Sequence, residues 1–475
     1  MNRYETLAYQ IEEKIRAGIL LSGEKLPSIR ELGQKEQASP ATVVEAYELL
    51  KSRGLVESRD RSGFYVSGIE SPTPENPKSS ASFVTPASLH PDDMIHALRQ
   101  ASHNPRIFPF GAASPSPDFM PVKSLNRCIT RVLRDDSELL SDYRFPPGSE
   151  RLRRQIAKHY AHRGVKLTVD SIVTTGGAIE ALGLALSSVA TPGDVVAVET
   201  PTYFGILQLV RSLGYKILEI PLDPNYGLTP DRFRQAVQKS SGRMKALVTV
   251  ANFSNPLGTL VSDSDKAELV QLAHTADVTI IEDDIYGDLC FDRIRPRPLK
   301  TFDLSDTVIL CSSFSKTISA ALRTGFVCSK KYAKAITLHK AARTSGVSGL
   351  AEEALALYLS TGHYERHLRK VRREYHTLTS QFASAILTHF PEGTRVSRPA
   401  GGFVLWVQLP DKTDSHLLQR NALEKSISIA PGPIFSSSHQ DYSQYIRINC
   451  AIPWSTQSQR AIVKLAKIIE LLANV

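Results

Sequence analysis

The chain has 475 residues, 42% of them hydrophobic, with a formal net charge of +9. That length suggests two or three domains with ample apolar material for a large core, and no uninterrupted apolar stretch is long enough to span a bilayer. The start, Met1 to Glu5, is polar and unlike a secretory signal, and the five scattered cysteines (Cys128, Cys290, Cys311, Cys328, Cys450) form no Cys-x-x-Cys pair, which points to reduced thiols and a cytoplasmic setting without membrane attachment. The positive charge does not by itself mark a nucleic-acid site. Residues 1–70 carry 10 Lys and Arg against 11 Asp and Glu, so the excess lies further along.

From Tyr4 to Ala17, Leu7, Ile11 and Ile15 fall on one helical face, closed by Gly18. Leu26-Pro27 leads to Ser28 with Glu31 three residues on, a capping box that opens a short helix ending near Gln37. Ser39-Pro40 reads as an N-cap followed by proline at the first helical position. This third helix runs to about Ser52 with Val43, Tyr47 and Leu50 on one face, and Gly54 stops it. Leu55–Glu57 and Phe64–Ser67 read as a hairpin around Asp60-Arg61-Ser62-Gly63. Helix, short helix, helix and hairpin make a winged helix-turn-helix over residues 1–68. The blocks ILLSGEKLPSIREL and SPATVVEAYELLKSRGLVESRDRSGFYV resemble the GntR superfamily. The resemblance implies a double-stranded DNA operator read by the third helix in the major groove. Ser39, Ala41, Thr42 and Glu45 would face the bases, Ser28 and Arg30 the phosphates, and Arg59, Arg61 and the Gly63 backbone would form the wing contact. Pro40 departs from the pattern, because many relatives carry arginine there, so the base preferences of relatives do not carry over.

Residues 69–105 read as a linker. Pro72, Pro74, Pro77, Pro86 and Pro91 lie among serines and charges, giving a semi-rigid spacer with a short ordered segment around Asp92 to Gln100.

Residues 106–475 alternate strand and helix signals. Ile172–Thr175 runs into Gly176-Gly177 and a helix, whose free N–H groups suit a phosphate. Strand patterns follow at Asp194–Glu199, Lys216–Ile220, Ala246–Val250, Thr279–Glu282 and Thr307–Leu310, an α/β domain with a mostly parallel sheet. Polar residues cluster at the strand ends, where open α/β sheets bind ligands. After the last strand comes Cys311-Ser312-Ser313-Phe314-Ser315-Lys316, then Leu322-Arg323-Thr324-Gly325-Phe326. A lysine held after a buried strand has its ammonium disfavoured, so its neutral amine can attack a carbonyl. Ser313, Ser315 and Arg323 suit a phosphate. Lysine plus phosphate site suggests pyridoxal 5'-phosphate. Asp283, in IIEDDIYG, can keep a pyridine nitrogen protonated, although an aspartate there also serves as a helix cap. Asn255, in SNPLG, and Tyr286 can bond the ring oxygen, although an asparagine before proline also starts turns. Tyr203 can stack on the ring.

The blocks YRFPPG, TTGGAIEAL, SNPLG, IIEDDIYG, SSFSK with LRTGF, and GGFVLW with YIRINCA resemble, in order and spacing, a fold-type I aminotransferase of class I/II. The resemblance implies a large domain with a mostly parallel sheet and a smaller C-terminal α/β domain. Lys316 would carry the cofactor, Asp283 pair with its ring nitrogen, Asn255 and Tyr286 hold the ring oxygen, and Tyr203 stack. Gly177, Ala178 and Ile179 would turn backbone amides to the phosphate with Ser313, Ser315 and Arg323. Tyr143 would reach the phosphate in a neighbouring subunit of a head-to-tail homodimer, and Arg447 would clamp a substrate or effector carboxylate. Gly177-Ala178-Ile179 lacks the serine or glutamine common there, so the phosphate leans on main-chain donors. No metal site is expected. The two halves together resemble MocR-type regulators. That implies a DNA-binding transcription regulator controlled by pyridoxal phosphate or its adduct with an amino-compound effector; an active aminotransferase with an accessory DNA-binding module is the alternative.

Overall fold

The computed structural model describes residues 2–16, 20, 24–59, 63–67, 92–292, 294–411, 413–438 and 441–473. They fall into two units, Met1–Pro74 and Glu75–Val475. Gly18, Arg61 and the linker prolines lie outside the described residues.

In the first unit, helices α1 (Arg3–Arg16), α2 (Ile29–Lys35) and α3 (Pro40–Ser52) precede an antiparallel hairpin, β1 (Val56–Arg59) and β2 (Gly63–Val66), in register from Val56↔Val66 to Arg59↔Gly63. The capping box is complete. Glu31 N donates to Ser28 Oγ at 3.3 Å, and Ser28 N donates to the Glu31 carboxylate at 2.8 Å. Ser39 caps α3 by accepting from Thr42 N at 3.2 Å. Leu7, Ile11, Leu32, Val43, Tyr47, Leu50, Val56 and Val66 form one core, in which Tyr47 Oη donates to Pro27 O at 2.6 Å. The face of α3 that holds this core leaves Ser39, Pro40, Ala41, Val44 and Glu45 outside. The hairpin strands occupy Val56–Arg59 and Gly63–Val66 rather than the expected Leu55–Glu57 and Phe64–Ser67, because Gly63 (φ +106°) re-enters the ladder directly opposite Arg59.

The first described element of the second unit is α4 (Asp92–His103), where a short ordered segment is expected around Asp92 to Gln100. Its Ile95 and Leu98 are buried in the core of this unit. Then come β3 (Phe108–Pro109), α5 (Val122–Asp135), α6 (Glu150–Ala161), β4 (Ile172–Thr175), α7 (Ala178–Val189), β5 (Val195–Thr200), α8 (Phe204–Ser212), β6 (Lys216–Pro221), α9 (Pro230–Ser240), β7 (Met244–Thr249), α10 (Asp263–Thr275), β8 (Thr279–Asp283), β9 (Val308–Ser313) and β10 (Gly325–Cys328). Seven of these strands form one sheet in the order β4-β10-β9-β8-β7-β5-β6. Neighbours from β9 across to β6 pair in parallel, and β10 is antiparallel to both β9 and β4. The central strands are continuous apolar runs because helices cover both faces.

Helices α11 (Ala333–Thr344), α12 (Gly349–Ser360) and the long α13 (His363–His389) lead to a smaller layer. It comprises β11 (Arg395–Val396), β12 (Val404–Gln408), α14 (Ser415–Glu424), β13 (Ile427–Ser428), β14 (Ala430–Pro431), β15 (Tyr445–Asn449) and α15 (Thr456–Ala473). Its four-stranded sheet, β11-β12-β15-β14, is antiparallel throughout. Strand β15 carries Arg447 toward the large sheet.

Candidate functional site

The C-terminal ends of β8 and β9 bring Asp283 and Ser313 to one edge of the sheet, and the turn after β9 adds Ser315 and Lys316. A cavity of about 330 Å3 opens there. Tyr203, Asn255, Asp283, Tyr286, Ser313, Ser315, Lys316, Arg323 and Arg447 all line it, together with Ala178 and Ile179. Lys316 remains accessible through the cavity, and its Nζ donates to Ala113 O at 2.6 Å. Low-dielectric surroundings, then the Arg447 cation, lower its amine to about 8. Asp283 is 6% exposed, and its Oδ1 is buried without a partner. Burial, then the neighbouring Asp284 charge, raises this carboxyl to about 7. A buried carboxylate oxygen with no donor is costly unless a ligand supplies one.

The anion end is built from backbone. Gly177 takes φ +114° and caps α7 with no side-chain hydrogen bond, leaving the first-turn N–H groups available. Arg323 Nη2 donates to Gly176 O at 2.8 Å, and a β-carbon at position 177 would stand 2.6 Å from that nitrogen. The backbone conformation favours glycine here, and a β-carbon would also push the Arg323 guanidinium out of its place. Ser315 Oγ is another buried atom without a partner.

At the opposite end, Asn255 Nδ2 donates to Tyr286 Oη and Arg447 Nη1 donates to Asn255 Oδ1, both at 3.3 Å. Arg447 Nη2 also donates to Gly111 O, while its Nε has no partner. Burial lowers the guanidinium to about 10, so it is a cation at neutral pH. The Tyr203 ring leans back over Gly205 of α8, where a β-carbon would collide with it.

Several contributors were not expected from sequence. The carbonyls of Gly111 and Ala113 hold Arg447 and Lys316, and α4 contributes Leu98, Arg99 and Ser102 to the cavity. Behind Asp283, Asp284 accepts from Tyr160 Oη at 2.8 Å, from Asn252 Nδ2 at 2.9 Å and from Arg295, which also bonds Asp288 at 2.7 Å. The adjacent acids Glu282-Asp283-Asp284 were the available sequence signal. Alternation on the strand sends their side chains to different surroundings.

Apart from Gly177, which caps α7 behind Ala178, the residue of the expected cofactor set that does not line the cavity is Tyr143. It is 81% exposed and stacks on Phe145 at 5.9 Å. In the N-terminal unit, Ser28, Arg30, Ser39, Ala41, Glu45, Arg59 and Gly63 are exposed and Thr42 is half-buried. The Ser39 and Thr42 hydroxyls bond each other at 2.8 Å. Arg59 sits over the Tyr65 ring at 4.4 Å and pairs with Glu57 at 2.8 Å.

The donor set fits pyridoxal phosphate. An orphaned acid would suit the ring nitrogen, an amine of lowered basicity the aldehyde, a helix start without a side-chain cap beside an arginine the phosphate, and an asparagine–tyrosine pair the ring oxygen. This fold and site define a fold-type I pyridoxal-phosphate architecture. Residues 117–465 match the aminotransferase class I and II family model, and residues 3–66 match that of the bacterial regulatory proteins of the gntR family. The chain belongs to the aminotransferase class I and II family, in the branch that joins a GntR helix-turn-helix to it, as MocR does. It is 36% identical to "Uncharacterized HTH-type transcriptional regulator YdcR" of Escherichia coli over 99% of either chain. To "Probable rhizopine catabolism regulatory protein MocR" of Rhizobium meliloti it is 26% identical, covering 89% of this chain and 85% of that one. The kynurenine aminotransferase of Pyrococcus horikoshii, solved in complex with PMP, is similar with a TM-score of 0.75 and 25% identity, over 81% of this chain and 95% of its own.

Proposed function

We propose that the chain is a transcription regulator whose operator binding is set by pyridoxal phosphate at Lys316, or by reaction of that group with an amino-compound effector. The observation that carries this reading is the pairing of Lys316 with the orphaned Asp283 across one cavity, in a chain that also presents the exposed N-terminal end of a helix-turn-helix α3. When bound, pyridoxal phosphate supplies an aldehyde that amines capture reversibly and a ring that withdraws electrons. Lys316 offers the amine in neutral form, and Asp283 holds a proton on the ring nitrogen. Asn255 and Tyr286 hold the ring oxygen and Tyr203 covers the ring face. The amides of Ala178 and Ile179, with Ser313, Ser315 and Arg323, hold the phosphate, and Arg447 binds the effector's carboxylate. A head-to-tail homodimer is part of the proposal. Leu140, Tyr143 and Phe145 are 70%, 81% and 65% exposed, an apolar cluster suited to a second copy. In the N-terminal unit, α3 faces the major groove and Ser28, Arg30 and Arg59 face phosphates.

An active aminotransferase with a DNA-binding accessory is the second reading, favoured by the presence in one cavity of Lys316, Asp283, Asn255, Tyr286, Arg323 and Arg447. One experiment separates them. A duplex is selected from random-sequence DNA with the full-length protein, and its affinity is measured with and without pyridoxal phosphate and amino acids, beside amino acid–keto acid turnover. Regulation predicts a change in DNA affinity of about 5- to 150-fold. Rapid turnover with unchanged DNA affinity supports the enzyme, and selection of no duplex refutes the DNA-binding assignment.

A further inference from the structure

One wall of the cavity comes from outside the sheet. Helix α4, the first element described after residue 67, places Leu98, Arg99 and Ser102 on it. The helix is fixed in place. Ile95 and Leu98 are each 3% exposed, Gln419 of α14 donates to Met94 O at 3.2 Å, and a β-carbon at Gly111 would collide with Leu98. Gly111 and Ala113, on the segment against which Leu98 packs, are the carbonyls that hold Arg447 and Lys316. Helix α4 therefore packs against the residue whose carbonyl holds Arg447.

Arg99 projects from α4 to the Tyr203 side of the cavity. Its Nη2 donates to Gln208 Oε1 at 2.8 Å. That partner is a neutral amide, and among the described residues no carboxylate pairs with Arg99. The charged residues lining the cavity are the cations Arg99, Lys316, Arg323 and Arg447 and the acid Asp283. Under the reading above, Arg323 faces the phosphate, Arg447 a carboxylate, Lys316 the aldehyde and Asp283 the ring nitrogen. Arg99 is left as a cation at the cavity with no anion assigned to it.

We infer that Arg99 binds a second acidic group on the effector, so that the effector class is an amino dicarboxylate. The inference rests on the proposed cofactor and effector role of this cavity. Such a ligand spans from Arg447 on β15 to Arg99 on α4, and so ties the helix nearest the linker to the carboxylate clamp. A monocarboxylate engages Arg447 alone.

The test uses full-length protein loaded with pyridoxal phosphate, titrated calorimetrically with glutarate and with pentanoate. The two share a five-carbon chain, differ by one carboxylate, and carry no amine to react at the cofactor. Glutarate is expected to bind roughly 10- to 100-fold more tightly, the range for a hydrogen bond to a charged group. Arg99→Gln should erase the difference and leave pentanoate affinity unchanged. In the unmutated protein, glutarate but not pentanoate should slow amide hydrogen exchange in α4, a readout independent of any variant. Equal affinities, binding of neither acid by cofactor-loaded protein, or equal loss of both in Arg99→Gln would overturn the inference while leaving the cofactor site standing. Protein that takes up no pyridoxal phosphate would sink the cofactor reading and this inference with it.

Discussion

Arg447 and Tyr286 are tied through one side chain: Asn255 accepts from Arg447 Nη1 and donates to Tyr286 Oη, each at 3.3 Å. All three are buried, so removing the amide strands two polar groups at once, at about 1–3 kcal/mol each. Asn255→Ala is expected to weaken pyridoxal phosphate retention and carboxylate binding together, by about 5- to 150-fold each. Tyr286→Phe should weaken only the first, and Arg447→Ala only the second. Equilibrium dialysis of the cofactor and calorimetry with pentanoate read the two effects. If Asn255→Ala alters just one of them, the asparagine is not a shared support.

Lys316 gives a pH dependence with a definite sign. An amine lowered to about 8 is mostly protonated below that pH and mostly neutral above it. Only the neutral form attacks an aldehyde. The rate of pyridoxal phosphate capture by cofactor-free protein should therefore rise with pH and level off above about 8, whereas an ordinary lysine would keep gaining rate to about 10.4. Stopped-flow absorbance at several pH values measures this. A rate still climbing tenfold per pH unit beyond 9 would mean that the cavity does not depress the amine.

Local signals carried much of this architecture. Ser28 with Glu31 and Ser39 with Pro40 announce two helix starts through short-range hydrogen bonds, and both caps form as read. The parallel strands announce themselves because burial on both faces demands unbroken apolar runs. Strand β10 was not foreseen. Gly325–Cys328 is four residues long, and its place between β4 and β9 depends on pairings with Ile172–Thr175 and Leu310–Ser313. Lys316, Asp283 and Asn255 stand out through their flanking residues. The carbonyls of Gly111 and Ala113 do not, because every residue has one and only the tertiary fold aims these two inward. Arg99 was hidden for a related reason. An ordered segment is legible around Asp92 to Gln100, but its docking against the core through Ile95 and Leu98, which sets Arg99 at the cavity, depends on tertiary packing.

Asp283 should make cofactor-free protein less stable as pH rises. Its folded value of about 7 lies above the ordinary carboxyl value of 3.8, because burial and Asp284 oppose ionisation. Folding is thus favoured by this group below about 3.8, and that contribution is lost as pH climbs to about 7. Asp283→Asn removes the titration. Relative to the unmutated apoprotein, the variant should gain thermal stability steadily between about pH 4 and 7, by on the order of a few kcal/mol at the upper end. It should also lose affinity for pyridoxal phosphate, since the amide cannot balance a protonated ring nitrogen. Calorimetric melting of both apoproteins across that range is the check. A difference that does not vary with pH would show that Asp283 ionises freely in the empty cavity.

Ser39 offers a way to separate holding a helix from touching DNA. Its Oγ accepts from Thr42 N at 3.2 Å and bonds Thr42 Oγ1 at 2.8 Å, so its first duty is to the end of α3. Ser39→Ala should cost about 1 kcal/mol of stability. Ser39→Asp should restore it, because aspartate caps as well and its charge suits a helix N-terminus. The two variants part company on DNA. An exposed carboxylate at the groove-facing end of α3 meets the phosphate charge of the duplex, so Ser39→Asp should bind a selected duplex more weakly than Ser39→Ala despite being more stable. The penalty should shrink as salt is raised, since screening weakens the repulsion. Melting of the full-length variants beside fluorescence anisotropy at two salt concentrations gives both numbers. If Ser39→Asp bound DNA like the unmutated chain at low salt, this end of α3 would not be lying against the duplex, and the groove-facing surface of the N-terminal unit would have to be sought elsewhere.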